Sequence, residues 1–426
     1  MVIAARRGAG GRATARAVAT LAASCAAAAL VAIWAAYGFR FSAVRGDQAT
    51  TATMHVLSDA GRPRPTTPAG AWEAVLHDPA TGADRRGPLP PLLRFARDHR
   101  LLPEAYLYGI AYVAKKGLNR AGYLRGQYTR SGFASYFAWA FAIKTPLPSL
   151  LLAAFGLVAL VGRWRKQPQL PPFAWGSLVF ALGYLAALHA SALNLGLRHL
   201  LPIAPLWALA AAAAWPQGPP TPAARRWALL ISALIGWLAF STLMAAPHFL
   251  GYFNESVGGW RRGHLYLVDS NLDWGQDLLR LEKRLRGEQG PIYLAQADNP
   301  PFPPGLSALN PRRLFGSTNR APFPERIAGG LYVISATELL GVYRPLARAE
   351  TWRDPRWLDR FEQLTSAAAL AARPTTDPPE GPDELEALRR MRLLARLSSR
   401  EPDERLGTSL FLFRLTDQQV REATDP

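Results

Sequence analysis

Residues 146–162 read PLPSLLLAAFGLVALVG, an uncharged apolar run that gives way at once to Arg163 and Arg165. A bilayer core about 30 Å thick requires about 20 mainly apolar residues per helix, with about 17 as the lower limit. Four further runs approach this length, and the five predicted spans are residues 17–37, 146–162, 172–193, 200–215 and 227–246. The sequence therefore predicts a polytopic α-helical membrane protein with about five transmembrane helices.

The first of these runs, residues 17–37, follows four arginines, as the apolar region of a secretory signal also would. A signal's apolar region is about 7 to 15 residues long, which is shorter than this run. Trp34 and Tyr37 close the run with aromatic side chains typical of a membrane interface, where a cleaved signal has small residues. The sequence therefore favours an uncleaved helix after a cytoplasmic N-terminus, the two together being residues 1–37.

Basic residues beside the spans set the orientation, because short loops rich in arginine and lysine stay in the cytoplasm. Such residues precede the first span, follow the second at Arg163, and precede the fifth at Arg225. This pattern makes residues 38–145 an extracytoplasmic loop that ends in an interfacial helix, and residues 146–246 the four remaining spans. Residues 247–426 are then expected to form an extracytoplasmic domain.

This C-terminal region combines strand-like and helical patterns. Three short apolar runs predict strands, namely PIYLA from Pro291, LYVIS from Leu331 and SLFLFRL from Ser409. Two patterns predict helices with one apolar face: Leu278, Leu279 and Leu281 in a basic segment, and Leu385, Leu388, Met391, Leu394 and Leu397 at three-residue steps. The fold class of the domain is therefore predicted to be α/β.

The formal net charge of +18 raises the question of nucleic-acid binding. Only five of the 49 basic residues are lysines, and the arginines are scattered along the chain. Because the arginines are not concentrated in one segment, they are expected to be solvated or to contact anionic lipid headgroups, and nucleic acid is not an expected partner. The single cysteine, Cys25, excludes an internal disulfide and a cysteine metal site.

Three cationic or titratable side chains are expected to meet at the outer membrane surface. Lys144 precedes the second span, and Arg198 and His199 precede the fourth, so both groups lie at the outer ends of helices. An arginine fork and a lysine ammonium fit phosphate oxygens, which makes a phosphate or diphosphate site one interpretation. The alternatives are that Lys144 extends to the interface and that Arg198 and His199 contact ordinary lipid headgroups.

The run DSNLDWGQD, residues 269–277, is rich in side chains that supply oxygen ligands. Its marked residues are Asp269, Asn271, Asp273, Trp274 and Asp277. An EF-hand calcium loop needs glycine at its sixth position and glutamate at its twelfth, where this chain has Trp274 and Arg280. The run is therefore interpreted as a structural motif that caps a helix beginning at Trp274, while calcium binding in another geometry stays open. Before it, Asn254-Glu-Ser matches the N-glycosylation sequon.

Six short motifs follow one another along the chain: LYG from Leu107, LRGQY from Leu124, KTPLP from Lys144, RHLLP from Arg198, YFNESVGG from Tyr252 and DSNLDWGQDL from Asp269. In these motifs and their order, residues 37–415 resemble the C-terminal half of bacterial glycosyltransferase family 39-like proteins of the GT-C class. The resemblance implies a multi-pass protein of the bacterial cytoplasmic (inner) membrane, acting on polyprenyl-phosphate-linked sugars at its outer face. The expected partners are the membrane and a polyprenyl-phosphate lipid, whose phosphate Lys144, Arg198 and His199 would bind.

The acidic catalytic motif that the resemblance implies is not found in the first external loop. Asp47 and Glu104 are the candidates for that role, and neither matches the motif. The catalytic residues are thus unknown, no cofactor is evident, and a divalent metal remains compatible with the resemblance. The leading hypothesis is a glycosyltransferase-related protein that lacks the N-terminal catalytic half, which is encoded separately or lost to a misplaced start. The alternative is a non-enzymatic membrane partner or scaffold whose external domain binds a cell-envelope component or a catalytic subunit.

Overall fold

The computed structural model describes residues 11–43, 72, 76, 89–117, 120–166, 172–190, 194–296, 302–315, 326–371 and 382–425, and helices predominate in it. The chain forms two compact units, one of residues 1–120 with 171–176 and the other of residues 121–170 with 177–426. Residues 38–145, which the sequence groups as one loop, are therefore divided between the two units.

The first unit is helical where it is described. Its helices are α1 (Gly11–Ala36), α2 (Leu89–Asp98) and α3 (Glu104–Gly117). Leu93 on α2 and Leu107 on α3 belong to a small apolar core together with Trp72. Helix α1 ends one residue before Tyr37, so the first predicted span is helical over nearly its whole length.

Five helices carry the apolar sequence that follows. They are α4 (Tyr136–Lys144), α5 (Leu147–Lys166), α6 (Pro172–Ala190), α7 (Ala204–Ala212) and α8 (Pro222–Ala245). Two of them, α5 and α8, are long and apolar enough to cross a membrane, and shorter apolar helical segments are Ala22–Ala36, Ala174–His189 and Leu197–Ala212. The described part of the chain is therefore a largely helical structure with two candidate spans.

The predicted fourth span, residues 200–215, is not a single α-helix. A 3-10 helix, Leu197–Ile203, precedes α7, and Pro202 lies inside it. Because proline has no N–H and clashes with the preceding turn, it interrupts regular α-helical hydrogen bonding here.

Helices α5, α7 and α8 pack together through small and apolar residues. A Cβ added to Gly156 of α5 would lie 1.6 Å from the carbonyl oxygen of Ala210 on α7. Glycine is therefore required for this approach of the two backbones. Leu152 of α5 and Ile231 and Leu234 of α8 belong to the same buried cluster. The three helices are thus one packed group.

The second unit also contains a mixed β-sheet. Its strands are β3 (Ile292–Ala295), β4 (Arg312–Arg313), β5 (Gly330–Ser335), β6 (Glu404–Leu406) and β7 (Leu410–Leu415), and a separate hairpin is formed by β1 (Gly122–Leu124) and β2 (Gln127–Thr129). The order in the sheet is β4-β3-β5-β7-β6. Strand β3 runs parallel to β4 and β5, whereas β7 is antiparallel to β5 and β6. The three predicted strands are confirmed as β3, β5 and β7.

Helices cover both faces of this sheet. The α-helices of this part of the chain are α9 (Trp260–Gly263), α10 (Leu278–Leu285), α11 (Pro304–Ala308), α12 (Ala336–Leu339), α13 (Pro355–Ala371), α14 (Pro382–Leu397) and α15 (Asp417–Thr424). Short 3-10 helices are Phe249–Gly251, Glu255–Val257, Asp269–Asn271, Pro345–Ala347 and Ala349–Arg353. Leu281 of α10 packs in the cluster that includes Val333, while Leu394 of α14 packs in the cluster that includes Tyr332. Successive residues of β5 thus point to opposite faces, and the α/β prediction for this domain is confirmed.

The leucine face predicted for residues 385–397 is confirmed, because Leu385, Leu388, Leu394 and Leu397 are buried. In α10 the prediction is wrong at one position. Leu279 is 62% exposed, whereas Leu278, Leu281 and Leu285 are buried. An α-helix has 3.6 residues per turn, so positions 278, 281 and 285 share one face and position 279 is turned away from it.

Candidate functional site at the end of helix α4

The C-terminal end of helix α4 is held by Asn254, which is fully buried. Its side-chain Nδ2 donates hydrogen bonds to the carbonyl oxygens of Ala142 at 2.7 Å and Thr145 at 2.8 Å. Its backbone N–H donates to the carbonyl oxygen of Ile143 at 2.9 Å. The last carbonyls of a helix have no partner within the helix, and Asn254 provides one for three of these groups. It thereby fixes the junction between α4 and α5.

Asn271 joins three segments that are far apart in the sequence. Its Nδ2 donates to the hydroxyl oxygen of Tyr136 at 2.7 Å, and its Oδ1 accepts from the backbone N–H of Leu197 at 3.1 Å. Its backbone carbonyl accepts from Nζ of Lys144 at 2.6 Å. The Lys144 and Arg198 segments are therefore joined in this unit through the DSNLDWGQD turn. The predicted convergence of the Lys144, Arg198 and His199 side chains on one phosphate stays a prediction.

Lys144 is bound mainly by the protein itself. Its Nζ donates to the carbonyl oxygens of Leu250 at 2.8 Å and Asn271 at 2.6 Å, and it lies 4.2 Å from the ring centroid of Phe253. Burial lowers the pKa of Lys144 to about 7. A lysine ammonium has three donors, and two of them are used here. Lys144 therefore holds the 269–271 turn against α4, and the lowered pKa weakens its predicted role as a phosphate-binding cation.

Arg198 is exposed, and its guanidinium carbon lies 4.7 Å from the ring centroid of Trp274. Trp274 is 60% exposed, although it is a large aromatic residue. A cation over an indole face is a favourable arrangement. It uses the face of the guanidinium and leaves the N–H groups at its edges free to donate hydrogen bonds. The pair therefore forms a cationic, aromatic patch on the surface of the second unit.

His199 lies behind this patch and is partly buried. Its ring contacts Phe137 edge-on at 6.3 Å between centroids, and Nε2 is buried without a hydrogen-bond partner in the described structure. Burial, and to a smaller extent the charge of Arg198, lowers the pKa of the imidazole. His199 is therefore favoured in its neutral form, which weakens its predicted role as a phosphate-binding cation.

Asp269 and Asp273 of the DSNLDWGQD run accept hydrogen bonds from different partners. The carboxylate of Asp269 accepts from the Tyr343 hydroxyl, and that of Asp273 accepts from Gln296 Nε2 at 3.2 Å and from the backbone N–H of Gly275 at 2.9 Å. No group of three or more His, Cys, Asp or Glu side chains suited to a metal was found among the described residues. Calcium or another divalent metal therefore stays an untested prediction.

The helix after this run begins later than the sequence predicts. Helix α10 starts at Leu278, and Asp277 occupies its N-cap position without a side-chain capping bond. The prediction of a helix from Trp274 is wrong because Asp273 instead closes a turn on Gly275, whose φ of +80° favours glycine.

Asp277 has a different structural role. It is buried, and its Oδ2 accepts from the backbone N–H groups of Thr408 at 3.0 Å and Ser409 at 3.1 Å and from the Ser409 hydroxyl at 2.9 Å. A Cβ added to Gly407 would lie 2.0 Å from Oδ1 of Asp277. Asp277 therefore fixes the turn between β6 and β7, and glycine at 407 permits the approach.

The structure describes one of the two residues, Glu104 and Asp47, that the sequence offered as candidates for a catalytic carboxylate. Glu104 belongs to the first unit, where its Oε1 accepts from Trp72 Nε1 and its Oε2 from the backbone N–H of Ala43, both at 3.0 Å. Asp47 lies outside the described residues. A catalytic carboxylate is thus not identified.

Several site residues escaped the sequence analysis. Asn254 and Phe253 were noted only within the sequon and the YFNESVGG motif, and neither they nor Tyr136 and Leu250 were assigned to the site. One sequence signal could have identified the two asparagines as site residues. Asn254 and Asn271 lie in motifs that carry the resemblance, as do Lys144 in KTPLP and Arg198 in RHLLP.

Comparison of the chain with protein-family models, with curated proteins and with solved structures found no match. The functional interpretation therefore rests on the residues of the site and on their geometry.

Proposed function

We propose that this chain is a five-span protein of the bacterial cytoplasmic membrane, related to glycosyltransferases that act on polyprenyl-phosphate-linked sugars. In this proposal the Arg198–Trp274 patch binds the phosphate of the lipid carrier at the outer membrane surface. The observation that carries it is the junction at Asn271, where a lysine-bearing helix end, an arginine-bearing loop and the DSNLDWGQD turn are joined by hydrogen bonds.

Arg198 is the best placed of the three predicted phosphate ligands. It is exposed, and within the described structure it has no carboxylate partner, so its donors are available. Guanidinium donors match phosphate oxygens in two-point contacts. The neighbouring indole of Trp274 adds an exposed apolar face of the kind found at membrane interfaces, suited to the first part of an isoprenoid chain.

Lys144 and His199 have supporting roles in the proposal. Lys144 holds the turn that carries Trp274 through the carbonyl of Asn271. The Tyr184 hydroxyl donates to the carbonyl oxygen of His199 at 2.8 Å, which fixes the loop next to Arg198. Both residues therefore position the patch in addition to any contact with phosphate.

The lengths of the helices support five spans. Helices α5 and α8 meet the length requirement directly. The 3-10 helix Leu197–Ile203 rises about 2.0 Å per residue and α7 about 1.5 Å per residue, so the two laid end to end extend about 27 Å, close to a bilayer core. The arginines after α5 and at the start of α8 support a cytoplasmic location for these helix ends.

Reporter fusions test the topology. Fusions after Gln167 and Pro219 are expected to report the cytoplasm, and fusions after Gln127 and Pro426 the outside, because the basic loops are retained inside. The measurement is paired alkaline phosphatase and green fluorescent protein activity at each point. External activity at Gln167 would overturn the orientation and, with it, the outer location of the patch.

Lipid binding tests the function. Arg198→Ala is expected to weaken binding of undecaprenyl phosphate to the full chain in nanodiscs by about tenfold to a hundredfold, since a charge-assisted contact contributes about 1.5 to 3 kcal/mol. Arg261→Ala is the matched control, because the guanidinium of Arg261 also lies over a tryptophan, 5.5 Å from the Trp260 ring. It is expected to bind like the wild type.

Two further ligands separate a carrier site from general headgroup binding. Undecaprenol has the isoprenoid chain without the phosphate, and phosphatidylglycerol has a phosphate without the isoprenoid chain. Binding of the carrier should exceed that of both in the wild type and lose this advantage in Arg198→Ala. Equal binding of carrier and phosphatidylglycerol, or equal binding by both variants, would show that Arg198 only contacts ordinary headgroups.

One observation favours the second candidate, a binding protein without catalysis. Both carboxylate oxygens of Glu104 already accept hydrogen bonds from Trp72 and Ala43, which makes Glu104 a structural residue of its own unit. Carrier binding without sugar transfer by the purified chain would favour this candidate.

A further inference from the structure

A cavity of about 340 Å³ lies where the last candidate span, α8, meets the first residues of the C-terminal domain. This volume falls within the range of about 300 to 1,000 Å³ that is typical of small-ligand sites. Arg198 and Trp274 are not among its described lining residues, and it shares with the candidate site described above the residue Phe253, over whose ring Lys144 lies. The cavity is therefore a candidate site separate from the Arg198–Trp274 patch.

One wall of the cavity is apolar and belongs to the membrane helix. Trp237, Phe240 and Met244 line it at helical spacing, and they are 38%, 62% and 69% exposed. Large apolar side chains this exposed on a candidate span are expected to contact lipid tails. An apolar chain lying along α8 would therefore continue directly into the cavity.

The opposite wall is polar and carries unsatisfied groups. The hydroxyl of Tyr252 and the Oγ1 of Thr408 are buried in this wall and have no hydrogen-bond partner in the described structure. Behind the wall, Oδ1 of Asp277 is buried without a hydrogen-bond partner in the described structure, and it lies within ion-pair distance, 3.9 Å, of Nδ1 of the lining residue His248. Leaving a buried polar atom unpaired costs about 1 to 3 kcal/mol, so these positions are suited to a polar ligand.

The charges around the cavity select the kind of headgroup. Glu255 lines it, Asp277 lies close behind it, and no lysine or arginine is among its described lining residues. The described basic groups Arg261 and Lys144 lie over the rings of the lining residues Trp260 and Phe253 and do not themselves line the cavity. An anionic phosphate would therefore meet the carboxylate of Glu255 at the cavity wall. Hydroxyl groups both donate and accept, which matches the hydroxyls of Tyr252 and Thr408 and the carboxylate of Glu255.

We infer that this cavity binds an amphiphile with a neutral, hydroxyl-rich headgroup on an apolar chain, such as a glycolipid. The chain lies against Trp237, Phe240 and Met244, and the hydroxyls of the headgroup bond to Tyr252 and Thr408. The site is distinct from the Arg198–Trp274 patch in the charge that it accepts.

The probe is n-octyl β-glucoside that carries a photoreactive diazirine on its chain, used with the full chain in nanodiscs and below the micelle concentration. Saturable labelling is expected within residues 237–260. Unmodified octyl glucoside should compete best, octanol less well because it lacks the polyol, and octyl phosphate least because it is anionic. Competition by octanol or octyl phosphate equal to that by the glucoside would overturn the inference, as would labelling that is not saturable.

Two substitutions remove the unpaired hydroxyls without changing the shape of the wall. Tyr252→Phe and Thr408→Val are each expected to weaken glucoside binding by about threefold to tenfold, the value of one hydrogen bond. Both variants should unfold at the same or a higher temperature than the wild type, because each removes a buried polar atom that has no partner. Unchanged glucoside affinity in the double variant would refute the role of these hydroxyls.

A third pair of variants tests the location. Met244→Trp fills the cavity and should abolish saturable labelling, whereas Leu243→Trp alters the neighbouring residue, which is 74% exposed and does not line the cavity, and should not. Arg198→Ala should leave glucoside labelling unchanged, and Tyr252→Phe should leave undecaprenyl phosphate binding unchanged. The two sites can therefore fail independently of each other. Equal labelling of the Met244 and Leu243 variants would place the probe elsewhere.

Discussion

Asp277→Ala is expected to reduce the free energy of opening of the β6–β7 turn by about 3 kcal/mol or more. Three donors of Thr408 and Ser409 bond to one buried carboxylate oxygen, and the alanine leaves all three without a partner. A bond to a charged group contributes about 1.5 to 3 kcal/mol, and such contributions are not additive within a network. The measurement is amide hydrogen exchange of residues 404–415 in the full chain, where protection should fall about a hundredfold.

Two controls separate this network from general effects of charge. Asp277→Asn retains one acceptor oxygen of the same shape and should lose less protection than the alanine variant, because its hydrogen bonds are neutral. Glu401→Ala removes a carboxylate that is 90% exposed and forms an ion pair with Arg405, so it should change stability by less than about 0.5 kcal/mol. Wild-type protection in Asp277→Ala would show that the turn is held by other contacts.

The sequence predicted the parts of the fold that depend on local periodicity. Strands β3, β5 and β7 were found because short apolar runs next to glycine or serine have few alternatives, and the face of α14 was found because its leucines recur at helical spacing. Leu279 was misassigned because Leu278 and Leu279 are adjacent, and a pair of neighbouring leucines does not show which side of a helix is the apolar face. Only the packing of the helix on β3 and β5 decides that Leu278 is buried and Leu279 is exposed. The break at Pro202 was marked in the sequence by proline itself.

The site was predictable only in part, because its bonds connect residues that are distant in the sequence. The meeting of the Lys144 segment with the Arg198 loop was expected because each precedes a predicted span that enters the membrane in the same direction. The partners of Lys144 are backbone carbonyls of Leu250 and Asn271, and no side-chain pattern identifies a carbonyl as an acceptor. Likewise, Asp277 lies 131 residues before Thr408, so its role required the assembled sheet. Polar spacing alone suggested capping or calcium instead.

The sequon at Asn254 illustrates the same limit. The pattern is typical of an exposed sugar acceptor but is also common by chance. Here Asn254 is fully buried, and both the nitrogen and the oxygen of its side-chain amide are hydrogen-bonded. The asparagine is required there for the two donors of its amide, which no other small side chain supplies in this shape.

Asn254→Asp is therefore expected to destabilise the protein more than Asn254→Ala, although aspartate is the closer match in shape. Aspartate places a carboxylate oxygen against the carbonyl oxygens of Ala142 and Thr145, which lie 2.7 and 2.8 Å from the amide nitrogen in the wild type. Alanine removes these two bonds and also the two that Oδ1 accepts from the backbone N–H and the hydroxyl of Ser256, at a cost of about 1 kcal/mol for each bond. Aspartate keeps acceptors for Ser256 but buries a charge that faces two carbonyl oxygens, which costs more, or must be protonated.

The contrast has a defined pH dependence. Burial and the facing carbonyls raise the pKa of the introduced carboxyl in the folded state above its value of about 3.9 in the unfolded chain. The unfolded state then binds fewer protons than the folded state as pH rises above 3.9, so the stability of this variant falls with pH until its folded pKa is passed. Thermal unfolding of the full chain in detergent at pH 5 and pH 7.5 should show a larger deficit at pH 7.5 for Asn254→Asp and an equal deficit at both values for Asn254→Ala. Asn310→Asp, at an exposed position, should show neither effect. If aspartate at 254 were tolerated as well as alanine at pH 7.5, the amide would not be the group that holds the end of α4.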